Sequence, residues 1–141
     1  CGAAAPLLAS GGGDGVVRLW DRRVPRDVHE LYWDGGCGSK GGGIGAIAQV
    51  QWSPFDEGVL AVSSGSGHVL LWDIGAIGAP QMPQDANDGP PELLFVHGGH
   101  YGEAPAAVAW SLTTPWLLAS CAEELGPDGP SQSRGELHLW Q

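Results

Sequence analysis

Apolar residues along this chain gather in short runs, and none of the runs sustains a helical period. LLAS, VVRLW, VLAV, HVLLW, LLFV and AVAW are each closed within a few residues by glycine, serine, aspartate or proline. Runs of this length, rich in β-branched and aromatic residues and bounded by turn formers, read as strands. Asp14-Gly15 and Ser66-Gly67 stand just ahead of two of them, and such pairs suit tight hairpin turns. Strands are expected near residues 7–12, 16–20, 27–33, 46–52, 59–64, 68–73, 93–97, 106–110, 117–121 and 136–140.

The pattern repeats. Residues 7–20 (LLASGGGDGVVRLW) lie over residues 59–72 (VLAVSSGSGHVLLW) without a gap, and each block continues into an aspartate, Asp21 or Asp73. A third block, 117–140, matches once an insertion around 122–131 (AEELGPDGPS) is removed, where glycine and proline place a loop. Trp52 and Trp110 each stand seven residues ahead of their blocks, a second spacing that agrees. Labelling the strands of one repeat a to d, the order reads b, c, d, then a, b, c, d, then a, b, c. The chain divides accordingly into residues 1–34, the end of one unit, and a glycine-rich linker at 35–45. A full unit follows at 46–97 with a long connection at 74–92, then a last unit at 98–141 with its insertion near 122–133.

Composition narrows the function. With 24 glycines and 11 prolines the chain is poor helix material, yet 43% apolar content and seven tryptophans exclude a disordered segment. The formal charge of −10 argues against direct binding to DNA through its phosphates and favours a basic protein partner. Five of the six basic residues fall between Arg18 and Lys40, and none between Gly41 and Ser133, a stretch holding ten acids. That stretch is either a solubilising surface or a docking surface for a cationic peptide. Three cysteines without a CxxC pair suit neither a disulfide scaffold nor a zinc site. No apolar run is long enough to cross a bilayer and no signal-peptide pattern stands at the start, so an intracellular, reducing compartment and no membrane partner are expected. A first residue of Cys1 in place of methionine suggests a piece of a longer protein.

Repeated short antiparallel units ending in Trp-Asp resemble the WD40 repeat, and the resemblance covers nearly the whole chain. It implies an all-β fold, a WD40 β-propeller fragment of about two and a half blades of an expected seven, because a closed propeller needs at least four. WD40 blades are pinned by a loop histidine, a strand serine or threonine, a turn aspartate and the tryptophan of strand c. Carried over, the first unit offers Ser10, Asp14 and Trp20. The second keeps Trp72 but has Gly43, Val62 and Ser66 in the other places, so it must rest on apolar packing of Trp52, Leu60, Leu70 and Trp72. The third offers His100, Ser120 and Trp140, with Asp128 as a candidate aspartate.

QVQWSP (49–54), DANDGPPELLF (85–95) and VHGGH (96–100) narrow the resemblance to the retinoblastoma-associated, histone-binding WD40 proteins. Members of that family are nuclear, seven-bladed scaffolds of chromatin-assembly, histone-deacetylase, remodelling and Polycomb complexes. The resemblance implies a non-enzymatic histone-binding scaffold or chaperone in the nucleus, with some in the cytoplasm, and no cofactor. Its partners would be a basic amphipathic helix of histone H4 and other chromatin-complex subunits. Asp85, Asp88, Gly89, Pro90, Pro91 and Glu92 would form the gripping loop, with Leu93 and Leu94 leading into the next strand. Binding of the histone H3 tail is expected to be weak, since Ala46 and Ala48 hold the places of the family's acid and aromatic residue. The loop is also less acidic than is usual, and the family's long N-terminal helix has no counterpart in the 141 residues.

Other chemistry finds little support. His97 and His100 flank two glycines, but no third ligand stands at useful spacing, so no metal is expected. The run GGGDG at 11–15 lacks the Lys-Ser/Thr and helix of a phosphate loop. No catalytic triad can be assigned, and Asp21 and Asp73 read as strand-end residues. Two other readings remain open. Trp20-Asp21-Arg22-Arg23 resembles the ending that substrate receptors of cullin-type ubiquitin ligases present, and the chain could be a truncated product without binding activity.

Overall fold

A computed structural model describes residues 7–35, 45–100, 107–124 and 134–141. These form three antiparallel sheets in which strands adjacent in sequence are adjacent in space. The first sheet holds β1 (Leu7–Gly11), β2 (Val17–Asp21) and β3 (Asp27–Leu31). The second holds β4 (Ile47–Trp52), β5 (Val59–Ser64), β6 (Val69–Asp73) and β7 (Leu93–His97), and the third β8 (Ala107–Trp110), β9 (Leu118–Glu124) and β10 (Arg134–Trp140). The described residues are all-β apart from two single-turn 3-10 helices, and the sheets resemble partial propeller blades. The repeat is visible in the register itself. Leu8 pairs with Trp20, Leu60 with Trp72 and Leu118 with Trp140, so the three tryptophan blocks hold the same cross-strand geometry.

Several boundaries differ from the sequence reading, among them the end of β3, which stops at Leu31, short of the expected residue 33. The insertion expected from residue 122 begins later, because residues 122–124 continue β9 and pair with 134–136 of β10. Ala122 is buried, so the inward–outward alternation runs past the point where the glycine and proline residues suggested a loop. The 74–92 connection is also partly ordered, with 3-10 turns at Ile74–Ala76 and Asp85–Asn87. The Asp73 carboxylate accepts from the Gly75 amide at 2.9 Å and caps the first of these, a strand-end role. The Gly43 and Asp128 positions, and most of the 35–45 linker, lie outside the described residues.

The second sheet is buried on both faces. Leu60, Val62, Leu70 and Trp72 face the first sheet and close on Val17, Leu19 and Leu31. Val59, Ala61, Val69 and Leu71 face the third and close on Val108, Trp110 and Leu118. Strand alternation thus serves two cores at once, which is why residues 59–62 are apolar without a break. Backbone and glutamine bonds stitch the sheets together. The Ile47 amide donates to the Gly12 carbonyl at 3.0 Å. Gln49 and Gln51 of β4 accept from the Val108 and Trp110 amides of β8 at 3.1 and 3.0 Å.

The pins of the sheets are unequal. Trp20 Nε1 donates to Ser10 Oγ at 2.8 Å, while Asp14 is exposed and paired with Arg18 at 2.6 Å across the turn. In the third sheet Trp140 Nε1 donates to Ser120 Oγ at 3.2 Å, and His100 Nε2 lies 2.7 Å from the same oxygen. In the second sheet Trp72 Nε1 is buried with no hydrogen-bond partner among the described residues. Ser66, in the aspartate's place, bonds His68 Nδ1 at 2.9 Å and Ser64 Oγ at 3.0 Å instead.

Candidate functional site

The 74–92 connection begins and ends in one sheet. Trp72 and Leu93 are register partners, and the Asp73 amide donates to the Glu92 carbonyl at 2.8 Å. Between those ends the chain is braced from within. Gln81 Nε2 donates to the Asp85 and Gly89 carbonyls at 3.2 and 2.8 Å, and the Leu93 amide donates to the Pro90 carbonyl at 2.9 Å. Gly89 has φ 134°, and a Cβ there would stand 2.6 Å from Leu93 Cδ2. Only glycine allows the chain to fold back over Leu93 at this point. Prolines 90 and 91 then stiffen the descent into β7.

The braced loop does not project alone into solvent. Its proline end faces the segment that follows β3 in the neighbouring sheet, and a cavity of about 680 Å³ lies between them. His29, Tyr32, Trp33 and Asp34 line it from the first sheet, and Pro90 and Glu92 from the loop. Glu92 is 7% exposed, and its Oε1 lies 3.5 Å from His29 Nε2, too long for a good hydrogen bond. That imidazole nitrogen is buried without a hydrogen-bond partner among the described residues.

Charge in and around the groove is one-sided. Glu30, Asp34 and Glu92 line it, with no lysine or arginine among the described residues. Two cations of the first sheet, Arg18 and Arg23, are already engaged. Arg18 reaches Asp14 and, at 3.4 Å, Glu30, and its guanidinium holds the Asp14 carboxyl below the usual carboxylate range. Arg23 grips Asp21 at 2.6 Å and lowers its pKa to about 2 by direct hydrogen bonding. The Trp20-Asp21-Arg22-Arg23 ending therefore carries an internal ion pair.

The expected gripping residues separate into four groups. Asp85 and Asp88 are exposed on the outer face of the loop, while Gly89, Pro90 and Pro91 are half-buried and line the groove with the buried Glu92. Leu93 is turned away and packs on the core between the first and second sheets. Leu94 opens elsewhere, into an apolar cleft of about 340 Å³ shared with Phe95, Trp116 and Trp140. The expected continuity between the acids and Leu93–Leu94 is therefore broken, because a register shift opposite Leu71 and Trp72 leaves Leu94 outside the pairing, beside Phe95. Sequence reasoning missed the opposite wall, formed by His29, Tyr32, Trp33 and Asp34. The run HELYWD, aromatic and acidic at a strand end, was its one local signal. Ala46 and Ala48 are exposed and offer neither charge nor ring.

The pair His97 and His100 gains a third histidine that sequence spacing did not reveal. His138, opposite Ser120 in the β9–β10 register, brings Nδ1 to 3.0 Å from His97 Nε2. Among the described residues no helix is long and apolar enough to cross a membrane.

Comparison with known proteins bears on the family and the fold. The WD40 family model (WD domain, G-beta repeat) matches residues 3–21. The chain is 30% identical over 135 residues to histone acetyltransferase type B subunit 2 of Debaryomyces hansenii, covering 96% of this chain and 30% of that protein. It is 33% identical over 119 residues to the protein of the same name from Candida glabrata, covering 84% of this chain and 26% of the relative. Over 48 residues, 34% of this chain and 11% of the relative, identity to the Mycosarcoma maydis protein reaches 56%. The chain thus spans under a third of the length of these relatives. Among solved structures, a chain of the Mitotic Checkpoint Complex crystal structure superposes with TM-score 0.59 over 95% of this chain and 31% of that one. At 16% identity that likeness concerns the fold. The chain is a WD40-repeat protein related to histone acetyltransferase type B subunit 2.

Proposed function

We propose that the chain supplies the histone-docking edge of a non-enzymatic WD40 scaffold working in nuclear chromatin-assembly or histone-modifying complexes. The observation that carries this reading is the groove between the braced proline loop and the segment after β3. It combines carboxylates (Glu30, Asp34 and Glu92) with aromatic walls (Tyr32 and Trp33) and has no lysine or arginine among its described lining residues. A basic amphipathic helix, such as that of histone H4, matches it in two ways. Lysine and arginine heads meet the carboxylates and the exposed Asp85 and Asp88, while their aliphatic stems lie along the rings and prolines. Long-range attraction gathers the partner, and burial against the loop holds it. The related subunits that carry histone acetyltransferase in their name fit this partner class. With Ala46 and Ala48 exposed and apolar, the tail of histone H3 is at most a minor ligand.

The test is binding of a fluorescent peptide spanning the first helix of histone H4 across a salt series. An exposed charge pair contributes about 0.2–1 kcal/mol, so Asp88→Lys, which replaces attraction by repulsion, should weaken binding about three- to tenfold at low salt. It should also flatten the salt dependence, because the exposed acid acts within a Debye length. Unchanged affinity and slope in a folded Asp88→Lys variant would exclude this loop as the docking edge.

A further inference from the structure

We propose that His97, His100 and His138 form a binding site for a divalent transition metal, zinc in the first instance, that clips the second sheet to the third. The site is independent of the histone reading. One ring nitrogen from each histidine lies within 4.8 Å of the other two. His97 Nε2 and His138 Nδ1 already stand 3.0 Å apart. Two nitrogens bound tetrahedrally at 2.0–2.1 Å from zinc are separated by about 3.3 Å. The spacing of this nitrogen pair is thus close to that of two zinc ligands, and an ion can take the place of the proton they share once the His138 ring turns its lone pair towards it.

The third ligand is oriented from outside the site. His100 is 3% exposed and has Nε2 on Ser120 Oγ at 2.7 Å, so its ligand atom is Nδ1. A ligating imidazole held through its other nitrogen is the usual outer-sphere arrangement of metal sites. His97 is held flat against Trp140, with ring centroids 5.3 Å apart and planes at 20°. His138 stacks on His100 at 4.2 Å and must turn about its Cβ–Cγ bond to converge on the ion. Gly99 makes the gathering of rings possible. A Cβ there would stand 2.8 Å from His97 Cε1 and 3.2 Å from His138 Cε1. The blade pin requires only His100, Ser120 and Trp140, so it does not account for His97 and His138 meeting at this spot. An all-imidazole donor set selects zinc, nickel or copper over calcium or magnesium.

The experiment titrates zinc into the metal-stripped chain in a background with Cys1, Cys37 and Cys121 changed to serine, which removes thiolate ligands. Calorimetry should give one ion per chain, and the thermal midpoint should rise with zinc. His97→Gln and His138→Gln should each lower the affinity about tenfold or more. Gly99→Ala keeps all three imidazoles but spoils their approach, and should weaken zinc binding comparably while tryptophan emission reports a folded chain. Absence of binding below about 100 μM zinc, where an ion would add no appreciable stability, would overturn the proposal. So would an affinity that His97→Gln, His138→Gln and Gly99→Ala all leave unchanged.

Discussion

Val62 stands beside Trp72 at the position where both flanking sheets carry a serine, and the indole N–H is buried without an acceptor among the described residues as a result. The register makes the correspondence plain. Ser10 lies two residues beyond the partner of Trp20, Ser120 two beyond that of Trp140, and Val62 two beyond that of Trp72. An unsatisfied buried donor costs about 1–3 kcal/mol, and a satisfied one returns about 0.5–1.5 kcal/mol net. Val62→Thr keeps the branched shape and adds an acceptor. It should raise the denaturant midpoint by roughly 1 kcal/mol of stability and shift Trp72 fluorescence. Val62→Ala, which opens a cavity and leaves the indole unmatched, should lower the midpoint.

Ser120 is the converse case. Its single oxygen serves Trp140 Nε1 and His100 Nε2 together, so one substitution removes the partner of a part-buried indole N–H and of a buried imidazole nitrogen. Ser120→Ala should cost about 1–3 kcal/mol, with the loss concentrated in the third sheet. Hydrogen exchange should therefore accelerate in β8, β9 and β10 before β5 and β6. Equal acceleration throughout would show that the three sheets unfold as one unit.

Much of the architecture was legible because each tryptophan block carries its own turn and its own register. Asp14-Gly15 and Ser66-Gly67 mark hairpins by backbone chemistry alone, and Trp20, Trp72 and Trp140 fix the pairing to within one residue. The groove was half legible. Its loop stands out by length, acids and paired prolines, but Trp33 and His29 reach it from another sheet, and no local pattern encodes that meeting. His138 was invisible as a companion of His97 for the same reason, being 41 residues away. Strand β9 ran long because burial of Ala122 outweighed the turn signals beyond it.

Acid sensitivity should arise first at the histidine cluster. Burial, with the nearby His138 and His68 as lesser causes, holds the His97 imidazole below its ordinary pKa of 6.5. The unfolded chain therefore binds more protons there than the folded one, and stability rises with pH across that window. The contribution is complete above 6.5 and declines as pH falls from 6.5 through the lower folded value. Asp21 behaves as an acid held down by Arg23. Its contribution is complete above 3.8 and is lost only as pH falls towards about 2. In chelator-treated buffer the unfolding midpoint should fall between about pH 7.5 and 5.5, and His97→Gln should flatten that slope while Asp21→Asn leaves it unchanged.

The loop's readiness to dock should depend on Gln81, a neutral residue that lines the groove and braces the loop from within. Its amide spans the loop from Asp85 to Gly89, holding the second 3-10 turn against the descent through Pro90 and Pro91. Removing it leaves both carbonyls to water, so the global stability cost is small, about 1 kcal/mol or less. The ordering cost is different. A loop freed at this point samples more backbone states, and each residue refixed on docking costs about 1–2 kcal/mol. Gln81→Ala should therefore leave the unfolding midpoint nearly unchanged, speed amide exchange across residues 85–92, and weaken a docked basic helix mainly through faster dissociation. An unaltered dissociation rate alongside faster exchange would show that the loop's internal brace has no part in holding a partner.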